Sequence, residues 1–184
     1  MRGSETLTEG IVAKVLFSED TIQRKIKELA AAISADYSGK ELLLVCILKG
    51  GLMFMADLAK EISVPAAYDF ISVSSYGKAT KSSGVVRILK DLDTDIAGKH
   101  VLIVEDIIDT GLTLSYLLGN LKSRQPASLA ICTLLDKPEG RSVPIDIRYR
   151  GFEAPNQFIV GYGLDYMELY RNVPFIFVMK PGIS

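Results

Sequence analysis

The run Glu105-Asp106-Ile107-Ile108-Asp109-Thr110-Gly111-Leu112-Thr113 gathers three carboxylates, two hydroxyls and a glycine into one short block. An apolar strand, Val101 to Val104, leads into it, and Leu114, Leu117, Leu118 and Leu121 follow at helical spacing. The block therefore sits at the mouth of a helix, where unsatisfied backbone N–H groups and the positive end of the dipole attract a phosphate. Thr110 and Thr113 can add hydroxyl donors, and Gly111 lets the backbone approach phosphate oxygens that a side chain would hold away. Glu105, Asp106 and Asp109 would repel a bare phosphate. Their presence implies cations, hydroxyl donors or a developing positive charge in the ligand, and a ribose 5-phosphate supplies the hydroxyls. Helix capping is the alternative, but it accounts for at most one of the three acids.

The elements that must position this block read as alternating strands and helices. Ser18 can cap a helix whose apolar positions Ile22, Ile26, Leu29, Ala30 and Ile33 share one face. Leu42 to Leu48 is a continuous apolar run of the kind buried on both faces of a parallel sheet, and Gly50-Gly51 punctuates its end. Leu52, Met55, Ala59 and Ile62 then repeat at helical spacing before Pro65. Tyr68 to Val73 predicts a strand, the polar segment from Ser74 to Gly84 a long mobile loop, and Val85 to Leu89 a strand returning as a hairpin. Leu129 to Leu135 predicts the next strand, and residues 136–184 short strands, turns and prolines. The expected fold is α/β: one domain with a parallel sheet core over about 36–140, flanked by helices. A small irregular C-terminal hood over about 141–184, joined by the N-terminus, completes it. Ligands should bind at the carboxyl ends of the strands.

Composition limits the partners. Lys plus Arg number 21 against 22 Asp plus Glu, so no net basic field exists for nucleic acid or an anionic membrane. The apolar run Leu42–Leu48 is far shorter than the roughly 18 to 20 residues that span a bilayer, and a soluble, cytoplasmic protein is expected. Cys46 and Cys132 sit far apart in apolar segments and read as buried reduced thiols. His100 alone cannot supply a His-rich metal site, and reads as a surface or turn residue.

The segment Val101 to Thr113 resembles the signature of the type I phosphoribosyltransferases: an apolar strand, two acids, two residues, Asp-Thr-Gly and a further Thr. The resemblance implies that family's fold, phosphoribosyl pyrophosphate as donor and Mg²⁺ as cofactor. It assigns donor and phosphate binding to Lys49, Gly50, Glu105, Asp106, Ile108, Asp109, Thr110, Gly111, Leu112, Thr113 and Arg171. Glu105 and Asp106 would hold the ribose hydroxyls directly or through metal, with Asp165 a further metal ligand, and Asp109 would move the proton on the imidazole half of a purine.

Four further segments resemble the hypoxanthine-guanine branch of the family. Leu48-Lys49-Gly50-Gly51 is similar to its pyrophosphate loop, where a cis peptide is frequent, and Arg171 occupies its pyrophosphate-binding arginine position. Ser74-Ser75-Tyr76-Gly77 resembles its closing loop, which keeps water from the reacting sugar. Lys137 matches the lysine that contacts the exocyclic oxygen of the base, favouring a 6-oxo over a 6-amino purine. Phe158 matches the aromatic that stacks on the base, and the backbone of Ile159 reads the base edge beside Asp165. On local pattern alone, Lys137 could equally be a solvated lysine and Phe158 a core aromatic. Leu112 stands where some relatives carry a lysine, and Asn156-Gln157 where relatives often place an acid and a basic residue. The resemblance implies small-molecule substrates, no nucleic acid or membrane partner, and a homodimer or homotetramer. An RNA-binding regulator on the same fold and a transferase for another base are the competing readings, and the near-zero net charge disfavours the first.

Overall fold

The computed structural model describes residues 7–75 and 86–182. Nine strands and three α-helices run in the order β1 (Val12–Phe17), α1 (Glu19–Asp36), β2 (Leu42–Leu48), α2 (Leu52–Glu61), β3 (Ala66–Ser75), β4 (Val86–Lys90), β5 (His100–Ile108), α3 (Leu112–Lys122), β6 (Ser128–Asp136), β7 (Tyr149–Glu153), β8 (Ile159–Val160) and β9 (Ile176–Met179), counted among the described residues. Six strands form the core sheet in the order β4-β3-β2-β5-β6-β7. All pairings in it are parallel except β3 with β4.

The continuous apolar character of β2 follows from its place inside this sheet. Successive side chains point to opposite faces, so Leu42, Leu44 and Cys46 join one buried cluster and Leu43, Val45 and Ile47 the other. α1 and α2 cover the first face through Ile22, Ile26, Ile33, Phe54 and Leu58, while α3 covers the second through Leu114, Leu117 and Leu121. Each such fully buried aliphatic side chain contributes about 1.5–3 kcal/mol, so a charge at Ile26, which is 0 % exposed, would release α1 from the sheet. Ser18 caps α1 as its sequence suggests, accepting from the Thr21 N–H at 3.3 Å.

Several elements differ from the sequence reading. α2 buries Phe54, Met55 and Leu58 rather than a face led by Leu52, which is 44 % exposed. β3 continues through Ser74 and Ser75, which pair with Arg87 and Val86 of β4, so the hairpin's polar loop begins later than Ser74. Tyr76 and Gly77 lie outside the described residues. β5 extends four residues past Val104, which places Glu105 and Asp106 on the strand itself. His100 stands at the entrance of β5 and is half-buried rather than at the surface, with Nδ1 2.7 Å from the Ser128 hydroxyl.

The hood also has more order than its sequence shows. β1 pairs antiparallel with β9, and β9 with β8, to give a three-stranded sheet built from both ends of the chain. β7 belongs to the core sheet, so a hood boundary at 141 falls too early. Cys46 and Cys132 are free buried thiols, both raised by burial, Cys46 to about 12. No helix among the described residues is long and apolar enough to cross a membrane.

Candidate active site

The carboxyl ends of β2, β5 and β6 meet at the site. β5 delivers Glu105, Asp106 and Ile108, and the chain then turns through Asp109, Thr110 and Gly111 into α3. Gly111 has φ +79°, and a β-carbon there would come 2.9 Å from Ile145 and 3.1 Å from Arg141. Only glycine accepts both that backbone and that packing. The turn opens onto a cavity of about 280 Å³ lined by Leu48, Glu105, Ile108, Asp109, Thr110, Gly111 and Thr113 among others. The first N–H groups of α3, of which that of Leu112 donates to the Thr110 hydroxyl at 3.4 Å, lie there with the Thr113 hydroxyl, donors of the kind a phosphate takes. Leu112, at the first position of the helix, is 36 % exposed.

Next to this mouth, β2 ends in the loop Lys49-Gly50-Gly51, whose Leu48–Lys49 peptide is cis. A β-carbon on Gly50 would lie 1.9 Å from Asp106 Oδ2, and one on Gly51 2.9 Å from the Ile47 carbonyl oxygen. Close packing against β5 and the end of β2 thus explains the glycine pair. Gly163 abuts the loop from the other side: its φ is +96°, and a β-carbon would fall 2.2 Å from the Gly50 carbonyl oxygen. The Gly163 carbonyl accepts from Arg171 at 2.8 Å, and Arg171 pairs with Asp165 at 2.8 Å. Glu168 reaches Lys49 at 2.7 Å and Arg171 at 3.5 Å. Lys49, Gly50, Asp106 and Arg171, from three parts of the sequence, therefore line one rim.

The two adjacent acids carry unusual electrostatics. Burial raises the Glu105 carboxyl well above its ordinary range, and the neighbouring Asp106 charge adds to the rise. Burial likewise lifts Asp106 to about 6, opposed by the Ile107 N–H and by the Arg171 charge. Glu105 Oε2 is buried with no hydrogen-bond partner among the described residues. Such a pair gains from a cation or from hydroxyl donors, so these acids fit a hard, oxygen-seeking dication held partly through its ligand. Asp165 does not join them: it is engaged with Arg171 and accepts the Glu168 N–H at 2.9 Å. No group of three metal-capable side chains forms among the described residues.

Asp109, its side chain half exposed, faces Lys137, whose Nζ lies 3.7 Å from Asp109 Oδ2. Lys137 is only 8 % exposed and donates to the Gln157 carbonyl at 2.8 Å, so it is not a solvated surface lysine. Its backbone N–H bonds the Ile108 carbonyl at 2.9 Å, which ties the end of β6 to the end of β5. Phe158 follows Gln157 and is 57 % exposed, an open aromatic face rather than a core residue. Tyr166 meets it edge-on with ring centroids 5.9 Å apart, beside a cavity of about 460 Å³. Ile159 is buried in β8 and pairs with Val178, so its backbone alone is available to a ligand edge.

Three residues with evident positioning roles were not singled out in the sequence. Arg141 donates to the Asp109 carbonyl at 2.8 Å and the Ile108 carbonyl at 3.2 Å, and ion-pairs with buried Asp136. Gly140 leaves room for Asp109, because a β-carbon there would lie 2.1 Å from Asp109 Oδ1. Glu168 binds the two rim cations from 119 residues beyond Lys49. Only the glycine behind Pro138 gave any local signal.

Residues 16–167 match the phosphoribosyl transferase domain model. Over 183 residues, covering 96 % of this chain and 90 % of the relative, the sequence is 51 % identical to the hypoxanthine-guanine phosphoribosyltransferase of Mycobacterium avium. It is 53 % identical over 172 residues to the enzyme of the same name from Bacillus subtilis, covering 94 % and 96 % of the two chains. The crystal structure of a hypoxanthine phosphoribosyltransferase from Staphylococcus aureus superposes with a TM-score of 0.92 at 49 % identity, covering 95 % of each chain.

Proposed function

Because this chain belongs to the phosphoribosyl transferase family, we propose that it makes purine nucleoside monophosphates, transferring the 5-phosphoribosyl group from phosphoribosyl pyrophosphate to hypoxanthine or guanine. The observation that carries the acceptor assignment is the buried Lys137 ammonium, 3.7 Å from Asp109 and bonded to the carbonyl of Gln157, the residue before exposed Phe158. An ammonium has three donors, and the Gln157 carbonyl takes one, which leaves donors for a 6-oxo group that a 6-amino purine lacks.

In this reading the 5-phosphate lies at the mouth of α3 on Thr110, Gly111, Leu112 and Thr113, and the ribose hydroxyls face Glu105 and Asp106. Lys49, Gly50 and Arg171 receive the pyrophosphate. The purine stacks on Phe158 while the Ile159 backbone reads its edge. A purine nitrogen attacks the anomeric carbon, the carbon–oxygen bond to pyrophosphate breaks with its electron pair leaving on oxygen, and Asp109 takes the proton shed by the imidazole half. Arg141 holds the Asp109 carbonyl, which fixes the carboxylate beside the base. Bound Mg²⁺ would neutralise charge on the leaving group, with Glu105 and Asp106 the residues suited to hold it. Asp165, committed to Arg171, supports the rim from behind. Closure by the Ser74–Gly77 segment and assembly into a homodimer or homotetramer complete the proposal.

An ultraviolet assay with hypoxanthine, guanine, xanthine, adenine and uracil, with and without Mg²⁺, tests it. Turnover is expected with hypoxanthine or guanine and to depend on Mg²⁺. Preference for adenine or uracil would overturn the role of Lys137.

A further inference from the structure

We propose that Glu168 is a positioning residue that stands in for pyrophosphate while the leaving-group site is empty, holding Lys49 and Arg171 in place and competing with pyrophosphate for them. The inference rests on the reading of those two cations as the leaving group's partners. Each carboxylate oxygen of Glu168 addresses a different cation: Oε2 lies 2.7 Å from Lys49 Nζ and Oε1 3.5 Å from Arg171. A bridging anion between two cations reproduces the charge pattern of a bound pyrophosphate. The Lys49 hydrogen bond also holds the Glu168 carboxyl below its ordinary range, so it is charged and able to compete.

The placement of Glu168 is built rather than incidental. It sits in a turn where Met167, Glu168 and Tyr170 have φ of 51°, 67° and 71°, a conformation that costs non-glycine residues free energy and persists only when its surroundings hold it. Asp165 holds it by accepting the Glu168 N–H at 2.9 Å. The contact is also replaceable, since the Lys49 and Glu168 side chains are 68 % and 64 % exposed. Exposed ion pairs are weak, and a pyrophosphate carries more charge than one carboxylate. The leaving group therefore displaces Glu168 on arrival, and Glu168 returns as the product departs.

Isothermal titration of magnesium pyrophosphate into the parent chain, Glu168→Gln and Glu168→Asp tests this, with GMP as the control ligand. At low ionic strength Glu168→Gln should bind pyrophosphate roughly two- to fivefold more tightly, the range of an exposed pair. The gain should shrink as salt is added, and GMP affinity should stay constant. Glu168→Asp, too short to bridge both cations, should show the same direction and guards against a folding defect in the amide. Equal or weaker pyrophosphate binding by the variants, with GMP unchanged, would overturn the inference. A parallel gain for GMP would overturn it too, by showing a general charge effect. Should the parent chain bind neither ligand, the functional reading itself fails and this inference falls with it.

Discussion

Asp106→Asn is expected to stabilise the ligand-free chain while weakening its hold on phosphoribosyl pyrophosphate. Asp106 is 8 % exposed, and burial raises its pKa from 3.8 to about 6. At about 1.4 kcal/mol per tenfold, keeping this carboxyl ionised inside the fold costs roughly 3 kcal/mol at neutral pH. An acid with a raised folded pKa binds more protons in the folded than in the unfolded chain. Its contribution is therefore most favourable below 3.8 and is lost as the pH climbs to about 6. The amide keeps the shape, and its oxygen can still accept the Ile107 N–H that Asp106 Oδ1 accepts at 2.9 Å. Its NH₂ can also donate to Glu105, whose Oε2 is buried without a partner. Thermal unfolding in a chelating buffer at about pH 7.5 should show Tm higher by roughly 6–12 °C, at about 2–4 °C per kcal/mol for a chain of this size. The gap should close near pH 4, and donor affinity at about pH 7.5 should fall roughly tenfold or more. A Tm that is unchanged or lowered, or a gap that ignores pH, would refute the claim that the buried Asp106 charge burdens the ligand-free fold.

Other outcomes follow from the same geometry. Asp109→Asn should lower kcat by roughly 10²- to 10⁴-fold with little change in donor affinity, checked by steady-state kinetics against a donor titration; an unchanged kcat would remove Asp109 from proton transfer. Gly163→Ala meets both a φ of +96° and a contact of 2.2 Å with the Gly50 carbonyl, so a loss of roughly 2–3 kcal/mol in chemical denaturation is expected, together with weaker pyrophosphate binding. Phe158→Ala should raise the KM for the purine roughly tenfold or more while leaving that for phosphoribosyl pyrophosphate near its parent value, because the ring is 57 % exposed and its loss leaves the core intact.

What the sequence displayed well was whatever depends on neighbours along the chain. The five apolar positions that share one face of α1 in the sequence are its five buried ones, because that face packs on the sheet. The uninterrupted run of β2 betrayed a strand covered on both sides, and the acids and glycine before α3 marked the turn that lines a cavity. Contacts made across long stretches of chain were invisible. β1 has exposed residues at three of its six positions and no clean period, and its partner β9 lies at the other end of the sequence. Glu168 looks like any surface acid until the turn brings it to Lys49, and Arg141 like any solvated arginine until it is seen gripping the carbonyls of Ile108 and Asp109. The early strand ends have a similar cause: polar Glu105 and Ser74 interrupt the apolar run, yet backbone pairing continues beneath them.

The three-stranded sheet that unites β1 with β9 sets an order of assembly. β8, two residues long, is held by β9, which in turn needs β1, so the backbone beside Phe158 gains its support only after Met179 has been made. The turn proposed to take the sugar's phosphate, by contrast, lies between β5 and α3, within the core sheet's part of the chain. During synthesis on the ribosome, where folding runs from the N-terminal side, a nascent chain would complete the turn before α3 ahead of the backbone that flanks Phe158.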